Sequence, residues 1–185
     1  MSRTPSNMLP LGTLAPDFNL LNTQNGEQAS LTNLKGQKGT VIAFICNHCP
    51  FVKHINQEFA KLARDYQPKE IGFVAISSND VENYPQDSPH LMKQVALEEG
   101  YTFPYLYDKT QQVGKDYDAA CTPDFYLFGA DLKLVYRGQL DDSRPENGIP
   151  VTGKDLRNAI DALLENKPIS ELQKPSIGCN IKWKK

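Results

Sequence analysis

The residues of this sequence best suited to chemistry are the two thiols of Cys46-Asn47-His48-Cys49. The β-branched and aromatic run 40–46 precedes them and predicts a buried strand, while apolar residues at helical spacing predict a helix over 50–66. Two thiols three residues apart at a helix start can form a disulfide without backbone movement. The helix N–H groups and the positive end of the helix dipole favour a thiolate at Cys46, the more exposed of the two. The motif therefore predicts a reactive thiol pair.

Alternatives to a redox pair are a zinc site and inert packing in a core. A structural zinc site needs four ligands, usually as two close pairs. Cys121 and Cys179 are isolated from each other and offer no second pair. The sequence also has no G-x-G-x-x-G or P-loop pattern. We therefore expect neither a metal nor another cofactor.

The helix dipole alone is too weak to make Cys46 a strong nucleophile. It contributes about 0.3–1 kcal/mol, which is less than one pKa unit. Direct N–H hydrogen bonds, together with a charged His48 or Lys53 nearby, would have to lower the pKa of Cys46 further.

Strands and helices are predicted to alternate around this motif. Further strands are expected at 17–20, 71–77, 103–107, 124–128 and 132–137, and further helices at 88–99, 109–117 and 154–165. The helix over 88–99 is expected to point Leu91, Val95 and Leu97 inward. Residues 138–153 and the tail after Asn166 are expected to lie outside regular elements. The pattern predicts one α/β domain over residues 1–165, with a mixed central β-sheet flanked by helices on both faces, and a tail over 166–185 packed on or near it.

Composition excludes several classes of protein. Among 185 residues, 20 Lys and Arg face 22 Asp and Glu, and this net charge of −2 gives no basic surface for nucleic acid. The longest apolar run, 41–46, is far shorter than the roughly 18 residues of a membrane helix. Residues 1–7 lack the apolar region of a secretory leader. Four cysteines are too few for a disulfide scaffold, so we expect a cytoplasmic protein. The charge and the short apolar runs predict neither a nucleic-acid nor a membrane partner.

A second motif, Cys121-Thr122-Pro123, stands immediately before the predicted strand 124–128. With the C-x-x-C at a strand-to-helix junction, it makes the chain resemble the thioredoxin-like superfamily. The resemblance is to the branch that groups AhpC/TSA proteins with membrane-tethered thiol–disulfide oxidoreductases, and it runs from about residue 9 to 165. Its further motifs are Leu14-Ala15-Pro16-Asp17-Phe18, the segment 31–36 and Phe103-Pro104-Tyr105-Leu106-Tyr107-Asp108.

This resemblance implies a thioredoxin-like fold and a role for each residue of the two motifs. Cys46 is implied to be the attacking thiol, Cys49 the resolving thiol and Pro123 a cis proline. The backbone of Thr122, the residue before that proline, is implied to pair with an incoming extended chain. The partner would be a disulfide- or dithiol-containing protein or a small thiol.

The sequence departs from its relatives in the acids that assist proton transfer. The two positions where relatives carry an acid, six residues before and six after the first cysteine, hold Thr40 and Val52. His48, Lys53 and His54 are therefore the candidates for proton handling. Resemblance to oxidising relatives with His before the second cysteine implies a relatively oxidising pair.

Two other functions use the same residues. In a peroxiredoxin-like peroxidase, Cys49-Pro50 would occupy the position of the peroxidatic cysteine and its proline, and a hydroperoxide would be the substrate. Cys46 then stands where such enzymes place a threonine, and losing that hydroxyl counts against peroxide binding. A sulfenic acid at Cys49 would be captured by Cys46. The remaining alternative is a non-catalytic binding module whose surface changes with its redox state.

The other two cysteines are candidates for additional redox roles. Cys121 is expected in or just behind the site, either as a packing residue or as a redox partner. Cys179 lies in the tail, which is expected either to dock as a strand anchored by Ile181 and Trp183 or to fold back so that Cys179 resolves Cys46 or Cys121.

Overall fold

A computed structural model of the chain describes residues 3–185. Its strands are β1 (Arg3–Pro5), β2 (Asn19–Asn22), β3 (Gln28–Ser30), β4 (Gly39–Phe44), β5 (Ile71–Ser77), β6 (Tyr105–Tyr107), β7 (Cys121–Thr122), β8 (Asp124–Gly129), β9 (Leu134–Gly138) and β10 (Ile177–Asn180). Its α-helices are α1 (Leu31–Leu34), α2 (Pro50–Tyr66), α3 (Pro89–Glu98), α4 (Gln112–Asp116) and α5 (Lys154–Leu164). Among the helices of residues 3–185, none has the length and apolar character needed to cross a membrane.

Seven strands form the central sheet, in the order β3-β2-β6-β5-β4-β8-β9. β5 runs parallel to both β4 and β6, and the remaining pairs are antiparallel. All six residues of β4 are buried, because it lies between two strands and has both faces covered. This position explains its uninterrupted apolar sequence.

Helices cover both faces of the sheet, as the sequence predicts. Side chains alternate along a strand, so Val41 and Ala43 of β4 pack in one apolar cluster with residues of α2, α3 and α5. Ile42 and Phe44 pack in a second cluster with residues of α1 and α4. The predicted mixed α/β architecture is confirmed.

A second, three-stranded antiparallel sheet has the order β1-β10-β7. The tail after Asn166, which the pattern of elements leaves outside regular structure but which was also expected to dock as a strand, forms a strand at Ile177–Asn180. This segment has no strand periodicity of its own, and it becomes a strand because Arg3–Pro5 and Cys121–Thr122, both distant from it in sequence, pair with it.

The buried face of α3 also differs from the prediction. Met92 and Ala96, four residues apart, are buried, whereas Leu97 is 83% exposed. One residue advances a helix by about 100°, so placing Met92 and Ala96 inward turns Leu97 to solvent.

Candidate active site

The two cysteines of the C-x-x-C motif lie where the chain passes from β4 into α2. Residues 45–49 connect the two elements, and Cys49 is the residue that caps the start of α2. Pro50 occupies the first turn, where its missing N–H leaves no hydrogen bond unmade. Cys46 is 2% exposed and Cys49 is fully buried. The motif thus places two covered thiols at one edge of the sheet.

The peptide bond between Thr122 and Pro123 is cis, as the resemblance implies, and it faces these thiols. The Sγ atom of Cys46 lies 3.3 Å from the Thr122 hydroxyl, within hydrogen-bond distance. As a thiol, Cys49 donates a hydrogen bond of 3.3 Å to the Thr122 carbonyl oxygen. Thr122 therefore contacts both sulfurs, one through its side chain and one through its backbone.

The C-terminal tail brings a third sulfur into this site. Strand β10 places Cys179 opposite Thr122, and the Sγ atoms of Cys179 and Cys49 are 2.7 Å apart. The predicted docked strand is present, with Ile181 buried and Trp183 38% exposed. The neighbour of Cys179 is thus Cys49, rather than the Cys46 or Cys121 that the sequence analysis considered.

Negative charge at the thiol pair lies on Cys49. Hydrogen bonding with Cys46 lowers the pKa of Cys49 to about 5 against the effect of burial, and hydrogen bonds with Cys179 and the Val52 N–H act in the same direction. Hydrogen bonding with Cys49, then burial, then the charge of Asp87 raise the pKa of Cys46. The sequence predicts the thiolate at Cys46, but the structure favours it at Cys49. Two thiols in contact share one negative charge, and Cys49 has more hydrogen-bond donors around it.

Beside Cys46, the ring of His48 contacts a buried carboxylate. Its Nδ1 atom lies 2.6 Å from Oδ2 of Asp87, and its ring stacks on Tyr84. The other Asp87 oxygen accepts the N–H of Asn47 at 2.8 Å, and the Asn79 side chain donates to Oδ2 at 2.9 Å. Burial by itself would raise the pKa of Asp87, but these partners, His48 foremost, hold it below the usual value. Asp87 therefore carries a negative charge near neutrality.

Asp87 is not among the residues predicted from the sequence, because it lies far from the C-x-x-C motif along the chain. Asp87 belongs to the segment that follows β5, the parallel neighbour of β4. The carboxyl ends of adjacent parallel strands lie at the same edge of a sheet, so polar residues after β5 were a signal available in the sequence. Of the other proton-handling candidates, Lys53 is exposed, and His54 is 2.7 Å from the Ser143 hydroxyl.

A second buried acid lies on the other side of the cis proline. Asp124 is 1% exposed, and burial raises its pKa to about 7 despite hydrogen bonds from the hydroxyls of Ser6 and Tyr126. From the sequence, Asp124 was predicted only as the start of a strand.

Cys121 is fully buried, and its sulfur lies 3.7 Å from the Pro123 carbonyl oxygen. Burial raises the pKa of its thiol. This arrangement is that of a packing cysteine.

Only one group of potential metal ligands occurs within residues 3–185. It comprises Sγ of Cys46, Nδ1 of His48 and a carboxylate oxygen of Asp87, all within 4.8 Å of one another. Since Nδ1 and the carboxylate are already bonded to each other, the arrangement suits a proton-sharing pair beside a thiol.

Comparison with known proteins identifies a family and a fold for this chain. A family model described as AhpC/TSA family matches residues 11–137. Comparison with functionally curated proteins gives no match. Among solved structures, an uncharacterized conserved protein from Geobacillus kaustophilus is 64% identical with a TM-score of 0.98, over 100% of this chain and 97% of that chain.

Two further structures are similar at greater distance. A hypothetical protein from Sinorhizobium meliloti is 47% identical with a TM-score of 0.95, over 98% of each chain. The thioredoxin domain of a thiol–disulfide oxidoreductase from Bacteroides vulgatus is 19% identical with a TM-score of 0.64, over 84% of this chain and 99% of that domain. That last likeness shows the fold alone. The chain has a thioredoxin-like fold and, because the family model matches more than half of it, belongs to the AhpC/TSA family.

Proposed function

We propose that this protein catalyses thiol–disulfide exchange through Cys46 and Cys49. Its partner would be a disulfide- or dithiol-containing protein or a small thiol. The observation that carries the proposal is the contact of both sulfurs with Thr122, the residue before cis Pro123, at 3.3 Å each. Membership of the AhpC/TSA family supports the same class of chemistry. We retain a reducing, cytoplasmic setting as part of the proposal.

Exchange would begin at Cys46, the first cysteine of the motif, whose sulfur lies beside the Thr122 hydroxyl. Its sulfur attacks one sulfur of the client disulfide while its proton passes to Cys49, with which it is hydrogen-bonded. The displaced client sulfur leaves as a thiolate and takes this proton from Cys49. One client sulfur is then reduced, and the other is joined to Cys46.

The second step would release the client. The Cys49 thiolate attacks Sγ of Cys46, the bond between Cys46 and the client breaks, and the second client sulfur leaves as a thiolate. The client has gained two electrons and the protein holds a disulfide between Cys46 and Cys49. Run in reverse, the same steps oxidise a client dithiol.

The surrounding residues would tune the first step. The hydrogen bond from Thr122 lowers the pKa of Cys46, whereas the charge of Asp87 raises it. His48 lies between solvent and Asp87, with its side chain 24% exposed. We assign His48 and Asp87 to proton handling beside Cys46.

The test is reduction of insulin disulfides with dithiothreitol as the electron source, using Cys46→Ser and Cys49→Ser as a matched pair. Wild-type protein should accelerate the reaction and both variants should lose the acceleration. Only Cys49→Ser should accumulate a mixed disulfide with the client, because it attacks but cannot resolve. Circular dichroism confirms that each variant is folded. A wild type that reduces neither insulin nor a low-molecular-weight disulfide such as oxidised glutathione, or an active Cys46→Ser variant, overturns the proposal. A partner bound only by oxidised protein would then favour a redox-gated binding module.

One observation favours peroxidase activity as a second candidate. Cys49 has a pKa of about 5 and precedes Pro50 at the start of α2, as a peroxidatic cysteine would. Its thiolate would attack hydrogen peroxide, and Cys46 would capture the resulting sulfenic acid and release water. Consumption of peroxide that survives Cys46→Ser better than Cys49→Ser would support this function over disulfide exchange.

A further inference from the structure

The sulfur of Cys179 is held against the active pair by the backbone on both sides. In strand β10, Cys179 lies opposite Arg3 of β1 and opposite Thr122 of β7. Its side chain is buried, at 4% exposure. The register of two strand pairs therefore fixes its position.

Gly178 allows the tail to approach this closely. A Cβ atom at position 178 would collide with the carbonyl oxygen of Thr122, so only glycine lets β10 lie at this distance from β7. The same oxygen accepts the hydrogen bond of Cys49. The close approach thus brings the Cys179 sulfur next to Cys49.

The contact between Cys49 and Cys179 is short enough for bond formation with little movement. Their sulfurs are 2.7 Å apart, whereas a disulfide bond is about 2.05 Å long. Closing this gap requires the two sulfurs to approach by about 0.7 Å. Cys121, the fourth cysteine, instead has its sulfur against the Pro123 carbonyl.

We propose that Cys179 is a third redox-active thiol, which exchanges with the Cys46–Cys49 disulfide and moves it to Cys49–Cys179. This proposal rests on the proposed function for the origin of the first disulfide. The Cys179 thiolate attacks Sγ of Cys49, the Cys46–Cys49 bond breaks, and Cys46 leaves as a thiolate that takes up the proton released by Cys179. No electrons are gained or lost overall, so the step needs no additional oxidant.

The charges in the site change in favour of this exchange once the first disulfide has formed. In the reduced protein, burial and then the neighbouring Cys49 raise the pKa of Cys179 to about 12. Cys49 is also the largest cause of the raised pKa of Cys46. A Cys49 sulfur that is part of a disulfide carries no charge. Both the attacking Cys179 and the departing Cys46 are therefore better thiolates in the oxidised protein than in the reduced one.

The product differs from an ordinary oxidised pair in one measurable respect. With the disulfide at Cys49–Cys179, Cys46 is a thiol again and can be alkylated. It can also attack a second disulfide-containing molecule and form a mixed disulfide with it, with one sulfur of that molecule leaving as a thiol, while the Cys49–Cys179 disulfide remains in place.

The experiment is a map of disulfide-linked peptides after oxidation of the full chain with diamide, acid quenching and alkylation. Trypsin, which does not cleave before proline, places both motif cysteines in peptide 39–53, Cys121 in 116–133 and Cys179 in 158–182. A Cys46–Cys49 bond therefore stays within one peptide, whereas a Cys49–Cys179 bond links two. Oxidised wild type should give the link between 39–53 and 158–182, with Cys46 alkylated.

Three variants make the result specific. Cys46→Ser should still form the linked peptides, because diamide can oxidise Cys49 and Cys179 directly. Cys179→Ser should lose the link and leave the disulfide within 39–53. Cys121→Ser is the matched control, and it should keep the link because its sulfur is placed against Pro123.

Two outcomes overturn the proposal. One is oxidised wild type with its disulfide confined to 39–53 and Cys179 alkylated, and the other is a Cys46→Ser variant that forms no link to 158–182. This test is separate from the test of the proposed function. The Cys46→Ser variant lacks exchange activity, so its link between Cys49 and Cys179 depends only on oxidation by diamide. A wild-type protein that forms the link with diamide but reduces neither insulin nor a low-molecular-weight disulfide would refute disulfide exchange alone.

Discussion

Replacing Asp87 with Asn tests whether this buried carboxylate controls the ionisation of Cys46. Contact with Cys49 is the largest cause that raises the pKa of Cys46, so the comparison is best made with Cys49→Ser present in both proteins. Burial and the charge of Asp87 then remain as the causes that raise this pKa. Asn is close to Asp in size and keeps one oxygen as an acceptor, so the change removes mainly the negative charge.

The size of the effect follows from the distance. The Cys46 sulfur and the Asp87 carboxylate are within 4.8 Å of each other. At an effective dielectric constant of 20, two unit charges at that separation repel by about 3.5 kcal/mol, equivalent to about 2.5 pKa units. Hydrogen bonds from His48 and Asn79 delocalise and partly neutralise the carboxylate, so we expect the pKa of Cys46 to fall by about 1 to 2 units.

The assay is the rate of iodoacetamide alkylation of Cys46 as a function of pH, read by mass spectrometry of peptide 39–53. With Cys49 replaced, Cys46 is the single cysteine of that peptide. Asp116→Asn, which changes an exposed carboxylate on α4, is the control and should leave the titration unchanged. A pKa that stays the same or rises in Asp87→Asn would refute the reasoning, because it would mean that the carboxylate does not act on Cys46 through its charge.

Three further substitutions have defined outcomes. Thr122→Val removes the hydroxyl beside Cys46, and the same alkylation assay should show its pKa raised by about 0.5 to 1 unit, the worth of one hydrogen bond. The second substitution is Asp124→Asn. Asp124 has a pKa of about 7 in the folded protein and about 3.9 in the unfolded chain. Its contribution to stability is therefore fully present below pH about 4 and is lost as pH rises through about 7, by at most about 4 kcal/mol. Urea unfolding at several pH values should show that Asp124→Asn removes this loss, and an unchanged pH dependence would contradict the assignment. Gly178→Ala should displace β10 through a collision with the Thr122 carbonyl, so the yield of the Cys179-linked peptides should fall, and a full yield would show that the tail tolerates the added methyl group.

The parts of the molecule that local sequence determines were predictable. The run 40–46 is apolar because β4 is covered on both faces, and the periodicity of 50–66 gives the bounds of α2 as the structure has them. These two elements fix the place of the C-x-x-C motif. The cis bond at Pro123 agrees with what the resemblance to thioredoxin-like proteins implies, although local sequence alone does not determine it.

Features that depend on contacts between distant segments were not predictable in the same way. Strand β10 exists because Arg3–Pro5 and Cys121–Thr122 pair with it, and Ile177–Asn180 alone has no strand pattern. Asp87 reaches the site through the loop after β5. Hydrogen bonding with Cys46 is the largest cause of the lowered pKa of Cys49, and Cys179, which no local pattern places beside it, adds to this effect.

The pairing of β10 with β7 has a consequence for any client of this protein. The backbone of Thr122, which in related proteins is expected to receive an extended chain, is already occupied by the protein's own C-terminal residues. A polypeptide that binds there must compete with a segment tethered to the same molecule, whose effective concentration is high. Molecules that need no strand pairing, such as low-molecular-weight disulfides, face no such competition. Under the proposed function, the tail would therefore favour small disulfides over polypeptides that bind by strand pairing.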